Sequence, residues 1–168
     1  MPHARCILTS GLLLIVLNTV AFSQTVPSCP APEKDPFVGT WKANADKSHP
    51  KLDKRDASYV RVIARESDER ISSSRILHPS QKGKFSENHF RIRCDGLMHS
   101  VACGAGRCSM SCTYRSANFV EGETLSPDGG HSYWTEEASS DGTEMRTRHY
   151  KDKSRTKLKS EWVLDRVK

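Results

Sequence analysis

From Phe37 to the C-terminus, no window of this chain repeats its apolar residues at helical spacing over three turns. What recurs instead are short stretches in which β-branched, aromatic or apolar residues alternate with polar ones. Turn chemistry such as Asp95-Gly96, Pro127-Asp128-Gly129-Gly130 or Asp141-Gly142 separates them. A period of two puts alternate side chains on opposite faces of a strand. Strands are therefore expected at 37–43, 58–65, 71–77, 84–93, 97–103, 108–115, 119–124, 132–138, 144–150 and 158–165. Many short strands with tight turns between them indicate an all-β fold, an antiparallel barrel or sandwich.

The turn after Cys103 suggests a register for one hairpin. A four-residue loop over 104–107 sets Cys103 opposite Cys108, Val101 opposite Met110, His99 opposite Cys112 and Leu97 opposite Tyr114, all on one face. That face is mostly apolar, whereas the other carries Ser100, Ser109, Ser111, Thr113 and Arg115. The first face is expected to meet the core.

Ahead of this region, a basic start at Met1 to Arg5 leads into the apolar run Leu12-Leu13-Leu14-Ile15-Val16-Leu17 and the small residues at Ala21-Phe22-Ser23. This is the pattern of a secretion signal, with cleavage before Gln24. Thr9-Ser10-Gly11 and Asn18-Thr19 interrupt the run, whereas a spanning helix needs about 20 apolar residues. Pro27, Pro30, Pro32 and Pro36 make the next segment an extended linker. The expected division is a signal at 1–23, a proline-rich linker at 24–36 and one domain at 37–168, with a secreted or periplasmic destination. Of six cysteines, Cys6 leaves with the signal, and Cys29, Cys94, Cys103, Cys108 and Cys112 enter an oxidising compartment where pairing is expected. Cys103 and Cys108 form the natural pair at the hairpin mouth, and Cys29 is expected to tie the linker to Cys94 or Cys112. The odd number leaves one thiol over.

The block Asp35-Pro36-Phe37-Val38-Gly39-Thr40-Trp41-Lys42-Ala43-Asn44, with Lys47-Ser48 after it, resembles the opening of lipocalin-like small secreted bacterial proteins. Within it, Gly39-x-Trp41 is similar to the glycine–tryptophan signature of the first strand of lipocalin and calycin barrels. Looser matches fall at Cys94-Asp95-Gly96, Ser140-Asp141-Gly142 and Trp162-Val163-Leu164-Asp165. The resemblance implies an antiparallel up-and-down β-barrel of lipocalin/calycin type. In it Trp41 plugs the closed end, Gly39 lets the backbone pass close to the indole, and Arg166 packs on the ring. An eight-strand interior of this kind holds one small ligand or is filled by side chains. The residues expected to meet an apolar ligand are Val101, Met110, Tyr114, Phe119 and Trp134.

No catalytic or cofactor motif stands out. Cys103-x4-Cys108-x3-Cys112 with His99 offers zinc-type ligands, but Cys108 and Cys112 stand about 13 Å apart on an extended strand. One tetrahedral zinc needs all its ligands within about 2.3 Å, so no metal is expected. The other histidines have no partner at a recognised spacing, G-x-S-x-G is absent, and Glu136-Glu137 and Asp68-Glu69 are adjacent pairs that point to opposite faces. The net charge of +6 is spread among interspersed signs, a balance that gives solubility rather than sequence-specific nucleic-acid readout. The basic stretch 146–159 reads as a solvated loop or as a contact to an anionic surface. The expected function is a secreted, non-enzymatic binding module for a small apolar ligand, with no cofactor. The alternative is an envelope interaction protein that uses its basic C-terminal hairpin on anionic polymers or surfaces; a third is a hydrolase on the same scaffold.

Overall fold

The computed structural model describes residues 31–77, 84–103 and 106–168. Ten strands follow one another: β1 Gly39–Ala43, β2 Val60–Glu66, β3 Glu69–Leu77, β4 Phe85–Arg93, β5 His99–Cys103, β6 Gly106–Ser116, β7 Phe119–Leu125, β8 His131–Ala138, β9 Glu144–Tyr150 and β10 Leu158–Arg166. Each coincides with one stretch of alternating residues. The one helical element among the described residues is a 3-10 turn, Asp56–Ser58.

All ten strands form a single antiparallel sheet in the order β4-β3-β2-β1-β10-β9-β8-β7-β6-β5. β1 lies between β2 and β10, with Trp41 opposite Arg166, so the first and last strands meet. The sheet curls into a nearly closed up-and-down barrel, and the ladder is interrupted between β4 and β5. There are ten strands where the lipocalin resemblance implies eight. Beyond Ala43 the chain continues along β10: Asn44 donates to the Val163 carbonyl at 2.8 Å, and His49 and Glu161 exchange backbone bonds of 2.7 Å.

Up-and-down order puts alternate connections at alternate ends. One end gathers the turns at 67–68, 94–98, 117–118 and 139–143 together with the segment 31–38. This end is closed by packing: Phe37, Trp41, Ile63, Cys112, Tyr114 and Met145 lie in one buried cluster. The alternation on β6 shows how the sequence builds it, since Cys108, Met110, Cys112 and Tyr114 are buried while Ser109, Ser111, Thr113 and Arg115 between them are not.

Gly39 and Arg166 complete this end. The Arg166 guanidinium lies 4.2 Å from the Trp41 ring centroid and donates to the carbonyls of Val38 (2.7 Å) and Pro36 (2.6 Å) and to that of Gly142. Trp41 Nε1 donates to the Phe37 carbonyl at 2.7 Å. Gly39 has φ +144°, and a Cβ there would lie 2.3 Å from Arg166 Nη1. A side chain at 39 would both strain the backbone and displace the guanidinium.

Three expectations are corrected. The hairpin of β5 and β6 pairs Cys103 with Gly106 and Val101 with Cys108, so the register is two residues tighter than a four-residue loop gives. A shift of two keeps every side chain on its face, which is why the core-facing set survives except at one position. Leu97 belongs to the turn before β5, not to the core face, and is 65 % exposed. Cys94 bonds Cys112, and Cys103 bonds Cys108, so neither Cys94 nor Cys112 is available to Cys29. The reason is local: the turn at Asp95-Gly96 folds back on β6, with Asp95 bridged to Thr113 and Gly96 donating to the Cys112 carbonyl at 2.9 Å. Cys29 lies outside the described residues, as do the expected signal at 1–23 and most of the linker. The described part of that linker is not a free spacer. It lies against the closed end, where the Pro32 carbonyl accepts from Arg65 and Asp35 accepts from the Tyr114 hydroxyl.

These contacts set two expectations for stability. Gly39→Ala is expected to lower the unfolding free energy by more than about 2 kcal/mol, and Gly129→Ala, where φ is +84° but nothing lies within 4 Å, by only about 1 kcal/mol. Urea unfolding of both variants measures the difference. Replacing Cys94 and Cys112 by serine, a pair 18 residues apart, is expected to cost about 3 kcal/mol, against about 2 kcal/mol for Cys103 and Cys108, 5 residues apart.

Candidate functional site

The other end of the barrel carries the connections at 44–59, 126–130 and 151–157, and here the interior is not filled. A cavity of about 530 Å³ runs down from this mouth. Its apolar wall comes from Tyr59 ahead of β2, Phe90 of β4, Met110 of β6, Trp134 of β8, and Trp162 and Leu164 of β10. Tyr59 and Trp162 meet edge to face with centroids 5.3 Å apart, a favourable arrangement for two rings. Trp134 lies over Gly122, directly opposite on β7, where a Cβ would come within 2.2 Å of the indole. The glycine is what lets this ring lie flat on the wall. Its Nε1 donates to Thr124 Oγ1 at 3.2 Å.

The floor is charged. Glu136 of β8, only 3 % exposed, receives Arg61 on Oε1 and Arg70 on Oε2. Arg61 also donates from Nε to Ser72 Oγ at 2.8 Å, and the Arg70 guanidinium rests 4.8 Å from the Phe37 ring centroid. Burial alone would raise the Glu136 pKa, but the two guanidinium charges and their hydrogen bonds outweigh it and hold the carboxyl at about 2. Arg61 and Glu136 face the cavity, and Arg70 sits behind them toward the packed end. Above the floor on β9, Thr147 lies opposite Glu136 and His149 opposite Trp134. Burial lowers the His149 pKa below its ordinary 6.5; Glu136 opposes this and Arg61 and Lys159 add to it. Tyr114 is also shifted, its phenol raised chiefly by burial and held by Asp35 against the pull of Arg70.

Among the residues the sequence points to, Met110 and Trp134 line the cavity. Val101 and Tyr114 belong to the buried core cluster and, like Phe119 at the β6–β7 hairpin opposite Ser116, are not among the lining residues. Arg61, Glu136, Thr147 and His149 were missed because polar residues in an alternating strand read as the wet face. The available signal was their phase: Arg61 is two residues from Ile63, and Glu136 lies between Trp134 and Ala138 at the same spacing.

In the basic stretch the three arginines are paired within the protein, while Lys151, Lys153, Lys157 and Lys159 are exposed. Arg146 pairs with Glu144 and Glu161, Arg148 with Glu137 and Glu161, and Arg155 with Glu121. Asp152 closes the turn between β9 and β10 through Thr156 and Lys157. Among the described residues, no group of three or more His, Cys, Asp or Glu is placed to hold a metal ion.

Because Glu136 has its pKa lowered in the fold from 4.5 to about 2, its contribution is fully present above pH 4.5 and is lost as pH falls toward 2. The shift corresponds to roughly 3 kcal/mol. Glu136→Gln, which leaves two buried guanidiniums with no counter-charge, is expected to destabilise the protein at pH 7 by about 3 to 5 kcal/mol. It is also expected to flatten the decline in unfolding free energy between pH 4.5 and 2, measured by urea titration at each pH.

No protein-family model matches the sequence, and a search of curated proteins finds no match. Solved structures do resemble it. One is a Schistosoma mansoni fatty acid binding protein in complex with arachidonic acid, with TM-score 0.54 and 11 % identity over 79 % of this chain and 97 % of that one. Another is a secretary abundant heat soluble protein from Ramazzottius varieornatus, with TM-score 0.57 and 11 % identity over 80 % of this chain and 97 % of that one. At such identities the likeness is one of fold, and the fold is a calycin-like antiparallel barrel.

Proposed function

We propose that this chain is an exported, non-enzymatic binding protein that holds one small, largely apolar ligand inside its barrel. The observation that carries the reading is the cavity of about 530 Å³, open at one end and walled by Phe90, Met110, Trp134, Trp162 and Leu164. A barrel with a purely structural role fills its interior with side chains; this one does so only in its closed half. The volume lies in the range of about 300 to 1,000 Å³ that suits one small molecule, and an apolar wall with a few placed polar groups is the usual make-up of such a site. A similar barrel is described as a fatty acid binding protein in complex with arachidonic acid, a ligand of the same broad class.

Export fits two disulfides, which persist in oxidising compartments, and it fits the signal-like residues 1–23, with a secreted or periplasmic destination. The reading against catalysis rests on Glu136: its two oxygens are both engaged and it is held ionised, so it has no proton to give and is a poor base. Contact with an anionic surface is the alternative: the exposed Lys151, Lys153, Lys157 and Lys159 would carry it, since Arg146, Arg148 and Arg155 already have carboxylate partners.

Native mass spectrometry of the mature protein from its exporting host, before and after denaturation, tests this. The expected result is a mass excess of one small molecule that is lost on unfolding. A bare polypeptide mass, together with no binding when apolar probes are added back, would overturn the proposal.

A further inference from the structure

One polar atom on the wall of the cavity has no hydrogen-bond partner. Thr147 lines the cavity and is only 9 % exposed, yet its Oγ1 makes no bond among the described residues. A buried hydroxyl left unpaired costs about 1 to 3 kcal/mol, and valine has nearly the same shape without that cost. The neighbouring polar groups are satisfied by one another. Arg61 spends Nε on Ser72 and Nη1 on Glu136, and the second oxygen of Glu136 takes Arg70. Arg70 Nε is also unpaired, but Arg70 does not line the cavity, so among the described residues the Thr147 hydroxyl is the buried unpaired atom that a ligand can reach.

The charges of that floor narrow what can approach it. At the floor, the charged residues that face the cavity are one cation and one anion, Arg61 and Glu136, joined to each other. The second cation, Arg70, sits behind the carboxylate against Phe37. An ionised head group would lose its water and arrive next to an ionised carboxylate, with no unpaired counter-charge facing it. Lys159 also lines the cavity, but it is exposed to solvent at the mouth, where hydration and salt screen its attraction. An uncharged group meets neither penalty and supplies the partner that Thr147 lacks.

Resting on the cavity reading above, we infer that the ligand is an uncharged amphiphile: a hydroxyl or carbonyl end hydrogen-bonded to Thr147 Oγ1 beside the Arg61–Glu136 pair, and an unsaturated or ring-bearing body against Phe90, Trp134 and Trp162. The aromatic wall favours flat bodies, because rings gain from offset or edge-on contact with rings beyond the area they bury.

A matched pair of probes that differ only at the head tests this: 1-pyrenebutanol and 1-pyrenebutanoate at pH 7.5, titrated against the emission of Trp134 and Trp162, with Trp41 sealed beneath the floor. The alcohol is expected to bind about tenfold or more tighter than the carboxylate. Thr147→Val is expected to raise the melting temperature of the unliganded protein while weakening the alcohol roughly fivefold. A merely structural threonine would lower the melting temperature, and that result would overturn the assignment. Equal or tighter binding of the carboxylate would overturn it too, as would an alcohol affinity that Thr147→Val does not change. If neither probe binds while native mass spectrometry finds another ligand in the barrel, this ligand class is wrong and the cavity reading stands. If no ligand is found by either route, both fall.

Discussion

The Arg166 guanidinium donates to the backbone at Pro36, Val38 and Gly142 while lying over the Trp41 ring. Those three carbonyls belong to the segment before β1 and to the turn between β8 and β9, so one side chain ties together parts of the chain far apart in sequence. A guanidinium can do this because its five donors are fixed in one plane, and its face remains free to lie on an aromatic ring. Up-and-down closure requires the first and last strands to meet, and β1 is only five residues long. Without the contacts of Arg166, the seam between β1 and β10 would rest on a short ladder. Gly39 follows from the same constraint, since no Cβ fits where the guanidinium passes.

With the closed end fixed in this way, the charged layer above it divides the barrel in two. Below Glu136 lie Phe37, Trp41, Ile63, Tyr114 and Met145 in continuous contact; above it lies the cavity. A buried ionic triad is weak evidence for stability, because apolar residues of like volume are commonly as stable or more so. What it supplies is position. Arg61 comes from β2, Arg70 from β3 and Glu136 from β8, strands on opposite sides of the barrel, so the pairings fix the cross-section at one height. A cavity needs walls that do not collapse inward, and the triad together with the ring pair Tyr59–Trp162 holds them apart.

The strands were legible because each stretch of the sequence alternates and ends in residues that turn. Gly39, Trp41 and Arg166 were also singled out, and the structure brings the three into contact. The interior was not legible, and the physical reason is that alternation identifies two faces without saying which of them is dry. Strand β8 illustrates this: His131, Tyr133, Thr135 and Glu137 alternate with Ser132, Trp134, Glu136 and Ala138, and both sets mix polar with apolar residues. The pairing of Glu136 with Arg61, 75 residues away, holds the glutamate inward, and the local pattern offers only the phase it shares with Trp134 and Ala138. The same limit explains the hairpin at Cys103. A register two residues tighter leaves the faces unchanged, so the hydrophobic pattern could not distinguish the two loops.

One of the two crosslinks sits at the one place where the sheet lacks a ladder. Every neighbouring pair of strands is hydrogen-bonded except β4 and β5. Cys94, just after β4, is bonded to Cys112 on β6, and so spans the interruption by attaching β4 to the strand beyond β5. Cys103 and Cys108 then join β5 to β6 at the mouth. The two links therefore do different work. Cys94–Cys112 holds the end of β4 against β6 across a boundary that has no ladder, near the closed end. Cys103–Cys108 lies within a pair that is already hydrogen-bonded, so it adds nothing across the interruption and instead fixes the end of the hairpin at the mouth, where Cys103 and Met110 line the cavity.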